Sequence, residues 1–148
     1  VQPLLSDFYG RNERTGIHKV LRYAMWTMLI FSLVIYGLLF VFAQPVTSVF
    51  NSEHNQELQN IAVTGLKIYF LSNVFAGYNT ILATYFISVE KAVPAQVLSV
   101  LRGFLLMIPV VFISSYLWKM TGVWAAYPLT EMLASVIGYI LYRRYNKT

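Results

Sequence analysis

An all-α integral membrane protein is the fold this sequence predicts, with four transmembrane helices preceded by the end of a fifth. Three observations predict it. Hydrophobic residues fill 57% of the 148 positions and charged residues 11%, against roughly 25% charged in soluble domains. A surface so poor in charge cannot face water, so lipid is its solvent. The apolar residues gather in four stretches close to the ~20 residues that cross a hydrocarbon core of ~30 Å. Backbone groups in lipid must be bonded within their own segment, which makes such runs helices. The Lys and Arg residues fall in the gaps between the runs, not on one face or arm. The net charge of +5 is therefore a topology signal and gives no reason to expect nucleic acid. The absence of cysteine excludes disulfides and thiolate metal sites.

Taken in order, residues 1–10, VQPLLSDFYG, read as the tail of a helix that begins upstream, ended by Gly10 and followed by Arg and Lys. The first span, 23–43, is an uncharged run of 21 residues stopped by Gln44-Pro45. The polar link NSEHNQELQN offers Asn51 or Ser52 as an N-cap. The second helix then starts near residue 53, longer than a bilayer needs, and its membrane part is 68–89. The short link EKAVP makes the second and third spans antiparallel neighbours. The third apolar run, 93–118, is broken only by Arg102; its span is set at 94–118, with Pro94 in the first turn, where a missing N–H costs nothing. The fourth, 122–142, contains Pro128 and Glu131. Tyr23, Trp26, Trp118, Trp124 and Tyr142 stand at span ends, where aromatic side chains anchor to the interface.

Orientation follows from the basic residues. Arg11, Arg14, Lys19 and Arg22 precede the first span, Lys91 and Arg102 lie near the second link, and Arg143, Arg144 and Lys147 follow the fourth; only Lys67 and Lys119 lie on the other side. Nine against two sets the larger group, and the C-terminus, in the cytoplasm of an inner-membrane protein. Val1 then approaches that side from within the membrane, as the end of an earlier span would, and a longer protein is expected.

The second span carries Tyr69, Ser72, Asn73, Ala76, Asn79, Thr80 and Ala83 at three- and four-residue steps, hence on one face. Pro128, Glu131, Ser135, Gly138 and Tyr142 do the same in the fourth. Such stripes serve close helix packing or a water-filled path. Glu131 is sharper. It lies 12 residues before Arg143, about 18 Å from the cytoplasmic end. A carboxyl at that depth must be paired, protonated or facing water, and its default reading is functional, as a proton carrier. The structural alternative is a carboxyl that pins helix packing. Arg102, about 24 Å from the outer end, sits several ångströms nearer the cytoplasm, and snorkelling to the headgroups is expected rather than pairing with Glu131. Pro109 and Pro128 kink their spans, as hinges or as fixed shape. His18 and His54 lie in opposite flanks and cannot share a metal. No nucleophile, zinc or phosphate-loop motif is present, and an enzyme is not expected.

These residues carry a likeness. QPLLSDFYGRN, with Gln2, Pro3, Ser6, Gly10 and Asn12, resembles the end of the eighth helix of the multidrug and toxic compound extrusion (MATE) transporters. AVPAQVLSVLRG is similar to the start of their eleventh helix, with Arg102 as the family's arginine. GVWAAYPLTEML is similar to the twelfth, with Gly122, Val123, Trp124, Pro128 and Glu131 in the usual order. The resemblance covers essentially the whole chain and implies helices nine to twelve of a six-helix bundle, one of two related by pseudo-twofold symmetry. It departs at Phe8 and Arg11, where family members often have Asn and Ala. The tenth helix holds Asn73 and Asn79 and no acid, so the coupling ion, H+ or Na+, stays open, and no cofactor is implied.

The resemblance implies a part of a cation-coupled antiporter that exports amphipathic, often cationic organic compounds by alternating access. Its partners would be the lipid bilayer and the N-terminal bundle of the same protein. Tyr69, Asn73 and Asn79 are the expected cavity residues, with Glu131 as the charge site. These 148 residues are not expected to transport alone. Two alternatives stand beside it. A lipid-linked oligosaccharide flippase of the same superfamily would want several cations in its spans, where this sequence has Arg102. A non-transporting four-helix assembly subunit would want a gene of this length.

Overall fold

The computed structural model describes residues 1–147, helical throughout apart from short turns. The helices are α1 (Gln2–Gly10), α2 (Arg14–Val41), α3 (Ala43–Phe50), α4 (Gln56–Phe70), α5 (Ser72–Ser88), α6 (Ala92–Val100) and α7 (Met107–Asn146), with a π-helical turn, Leu101–Leu105, between α6 and α7. Among the described residues three stretches are long and apolar enough to cross a membrane: Arg14–Val41, Gln56–Ser88 and Ala92–Asn146.

The third stretch, 55 residues long, reverses on itself. Lys119 has φ 52° and ψ −125°, which no helix accommodates. Gly122 lies against the backbone carbonyl of Ser114 so closely that a Cβ would overlap it. Thr130 Oγ1 sits 3.6 Å from Met107 Sδ, where a straight helix would hold these residues ~34 Å apart. α7 therefore has two antiparallel arms, 107–118 and 120–146.

The turns α1–α2 and α5–α6 are built alike. Asn12 (φ 58°) and Glu90 (φ 57°) adopt the left-handed conformation. Glu13 N–H donates to Phe8 O at 2.9 Å and Lys91 N–H to Phe86 O at 2.8 Å, the six-residue return bond that satisfies a helix's last carbonyls. Asn tolerates that backbone better than most residues, which gives Asn12 a structural reason. Gly10 has open space where a Cβ would point, whereas Gly16 lies against the Phe8 ring. The close approach of α1 to α2 falls at Gly16.

Several boundaries differ from the expectations. Gln44-Pro45 does not end the helical path. The chain bends at Phe42 and resumes as α3, with Pro45 in its first turn, where a missing N–H is harmless. The cap of α4 is neither Asn51 nor Ser52 but Asn55, whose side chain accepts from Glu57 N–H at 3.0 Å and Leu58 N–H at 3.3 Å. Asn51 is occupied otherwise, donating to Asn55 O and to Gln59 Oε1. Gln59 in turn ties α4 to α3 through Gln44 O at 3.0 Å and Thr47 Oγ1 at 2.7 Å. The second span is broken at Leu71, between α4 and α5, without a proline. Pro109 is the third residue of α7 and follows the π turn, in which Leu106 N–H reaches Leu101 O at 2.9 Å. A wider turn there relieves the clash a proline ring makes with the carbonyl four residues earlier.

The core joins α1, α2, α5, α6 and the second arm of α7 through Leu5, Leu21, Phe86, Leu98 and Ala134. Around it, long apolar side chains such as Phe31, Phe104, Phe112 and Tyr116 point outward, as lipid-facing residues do.

Candidate functional site

The midpoint of the second arm positions the site. Asn79, Thr130 and Glu131 are enclosed here, 0%, 0% and 1% exposed. Asn79 Nδ2 donates to the Glu131 carboxylate at 2.8 Å and to its backbone carbonyl at 2.9 Å. Ser135 Oγ donates to the same carbonyl at 2.8 Å. Arg102 Nε lies 3.1 Å from one carboxylate oxygen and 3.0 Å from the other, with the arginine side chain 22% exposed and the carboxylate side chain 2%. One carboxylate is thus held by an amide from α5 and a guanidinium from the π turn. The charge is balanced in place, which a carboxylate taken out of water requires.

This corrects the reading of Arg102, which pairs with Glu131 instead of snorkelling. Depth counted along straight helices of ordinary rise sets the two side chains too far apart. Arg102 stands in the π turn, where the helix widens, and its long side chain covers the remaining separation. An unpaired carboxylate at this depth costs more than extending an arginine.

Neighbouring residues complete the site. Tyr127, one turn before Glu131, stacks on Tyr69 with ring centroids 5.0 Å apart and planes 16° from parallel, and lies within electrostatic reach of Glu131 and Arg102. Gly65 lies against the Trp124 ring, and Thr130 Oγ1 donates to Ala126 O at 2.8 Å. The α4–α5 stripe therefore meets the second arm at three levels: Gly65 on Trp124, Tyr69 on Tyr127, and Asn79 on Glu131. Tyr69 remains 39% exposed, Asn73 is half-buried, and Pro128 is buried inside α7. Gln2, Pro3 and Gly10 are exposed, and Gln2 O accepts from Ser88 Oγ at 3.5 Å.

Tyr127 and Trp124 join the site only through the packing of α4 on the second arm. The signal for Tyr127 was its spacing, four residues before Glu131 and so on the same face. Among the described residues no group of three His, Cys, Asp or Glu could hold a metal. Asn79 Oδ1 is buried without a hydrogen-bond partner among the described residues, which leaves acceptor capacity beside the carboxylate.

Comparison with known proteins agrees with this architecture. An FAD transporter of Shewanella oneidensis is 25% identical over 148 residues, 97% of this chain and 31% of that protein. A MATE-family multidrug transporter in an inward-facing conformation superposes with a TM-score of 0.90 at 17% identity, over 97% of this chain and 33% of its own. A point mutant of the Vibrio cholerae MATE transporter VcmN gives 0.89 at 23% identity, over 99% and 33%. The outward-facing form of a MATE-family multidrug transporter gives 0.87 at 16%, over 97% and 33%. The chain spans about a third of the length of the proteins it matches. The MatE family model matches residues 1–113, and with the fold and the order of the helices in agreement, the chain belongs to the MatE family.

Proposed function

We propose that this chain forms part of a cation-coupled antiporter that exports amphipathic organic compounds by alternating access. The observation that supports it best is the buried Asn79–Glu131–Arg102 cluster, placed where α5, the π turn and the second arm of α7 meet. A proton or cation arriving at Glu131 competes with Arg102 for the carboxylate. Its arrival would loosen the contact between α5 and the second arm, and its departure would restore it. The unused Oδ1 of Asn79 adds an acceptor to that exchange. Tyr69 and Asn73 are placed to line the substrate path, with Asn79 holding the carboxylate behind them. The protein lies in the inner membrane with its C-terminus in the cytoplasm, on the strength of the Lys/Arg asymmetry, and works with the N-terminal bundle of the same protein.

The test is efflux of a fluorescent organic cation from proteoliposomes containing the full-length protein, driven by a pH or a sodium gradient. Efflux is expected with one gradient, which names the coupling ion, and is lost in Glu131→Gln. Gradient-independent efflux, or undiminished coupling in Glu131→Gln, overturns the reading.

The Shewanella relative named as an FAD transporter favours a second substrate class, an anionic dinucleotide. Arg102, the basic residue nearest mid-span, is committed to Glu131. Such a substrate, like the pyrophosphate of a lipid-linked oligosaccharide, would have to find its cations elsewhere. Efflux of FAD in place of the organic cation would select it. A scaffold without transport predicts neither.

A further inference from the structure

A groove distinct from the Glu131 cluster runs inward from the basic end of α2. The backbones of α2 and α7 both approach α5 and, among the described residues, not each other, so α5 forms a floor between two walls. At the end lies a cavity of about 630 Å³ lined by Arg14, Thr15, His18, Lys19, Arg22 and Asn146. It holds three cationic side chains and no acid. It shares His18 and Arg22 with a second cavity of about 350 Å³, whose lining includes Met25, Trp26, Tyr78 and Tyr142. That one shares Met25, Leu29, Tyr78 and Tyr139 with a third, about 490 Å³, reaching Phe75 and Val136. Through these shared residues the three follow one another along α2 from Arg14 to Leu29. At 1.5 Å per residue this is about 20 Å, which suits a headgroup followed by a chain spanning half of a ~30 Å core. The groove's character changes along that length as a phospholipid's does, from cationic at one end to apolar, aromatic and aliphatic together, at the other.

We propose that this groove binds an anionic phospholipid, its phosphate between Arg14, Lys19 and Arg22 and one acyl chain along Met25, Leu29, Phe75 and Tyr139. Charge selects the lipid: a zwitterionic headgroup brings a cation of its own to a place already occupied by three. Basic pockets between membrane helices take anionic headgroups for this reason. The assignment needs this groove to face lipid and not the rest of the protein, and it does not depend on the substrate or the coupling ion.

The test uses the full-length protein, stripped of lipid in detergent and exposed to equal amounts of phosphatidylglycerol and phosphatidylcholine, with bound lipid read by native mass spectrometry. Phosphatidylglycerol is expected to be retained over phosphatidylcholine by about tenfold or more. The triple variant R14Q/K19Q/R22Q is expected to bring that ratio near parity with its helical content unchanged. Leu29→Trp, which fills the groove below the headgroup, is expected to lower retention of both lipids. A benzophenone amino acid in place of Tyr139 is expected to cross-link to lipid in membranes. Equal retention by the unmodified protein, or a preference that survives in the triple variant, overturns the proposal. So does cross-linking of position 139 to another peptide segment, which would make the groove a helix-docking surface.

Discussion

Along its first arm α7 turns Phe112, Ile113, Tyr116 and Leu117 outward and buries little besides Ser114, whereas the second arm encloses Ala126, Pro128, Thr130, Glu131, Ala134 and Gly138. Both arms are apolar enough to lie in lipid. The difference lies in where the small and polar residues fall. A bilayer gives Leu and Phe no reason to prefer the inside of a bundle, so large apolar residues mark the outside as readily as the core. Small residues that admit close approach, and polar ones that must be satisfied, mark the contact face. The second arm is the spine on which α4 and α5 are arranged, and the first is a wall.

Four substitutions test that contrast. The largest loss is expected for Arg102→Ala, which leaves the Glu131 carboxylate buried and unpaired and costs about 3–5 kcal/mol, read as thermal unfolding in detergent. Gly122→Ala forces a methyl into the Ser114 carbonyl at the hinge between the arms. Because backbone cannot yield as a side chain does, about 3 kcal/mol is expected in the same measurement. Gly65→Ala pushes on the Trp124 ring, which can rotate away, so about 2 kcal/mol is expected, with altered Trp fluorescence as a second readout. On the first arm, Phe112→Leu exchanges one lipid-facing side chain for another and should stay within about 0.5 kcal/mol. A first-arm change as costly as a second-arm one would erase the distinction.

Much of this architecture was legible in the sequence, for physical reasons that can be named. Lipid forces long apolar runs into helices, and Glu131 stands out because a carboxyl at mid-membrane cannot be neutral scenery. The connections were less legible. α3 was hidden because Gln44-Pro45 reads as a stop, although a proline in a first turn is harmless. The cap of α4 was misplaced because Asn51, Ser52 and Asn55 are equally good by type, and only the bonds Asn51 makes across the loop decide between them. The pairing of Arg102 with Glu131 was missed because depth was counted along ideal helices. A π turn has no sequence signature comparable to that of a proline or a charge, although Gly103 within it and Pro109 after it are its traces. Asn79 and Glu131 were both named as site residues, but that they grip one another across 52 positions is a property of the packing of α5 on the second arm.

The account stands on the coupling of Arg102 and Glu131 within the membrane, and a double-mutant cycle measures it directly. Thermal unfolding of Arg102→Met, Glu131→Leu and the double variant in detergent gives the interaction between them. The prediction is that each single variant loses about 3–5 kcal/mol, while the double loses no more than either one, since no charge is then left buried alone. Losses that simply add would mean that the two side chains act independently, and the buried pair at the centre of the bundle would have to be abandoned.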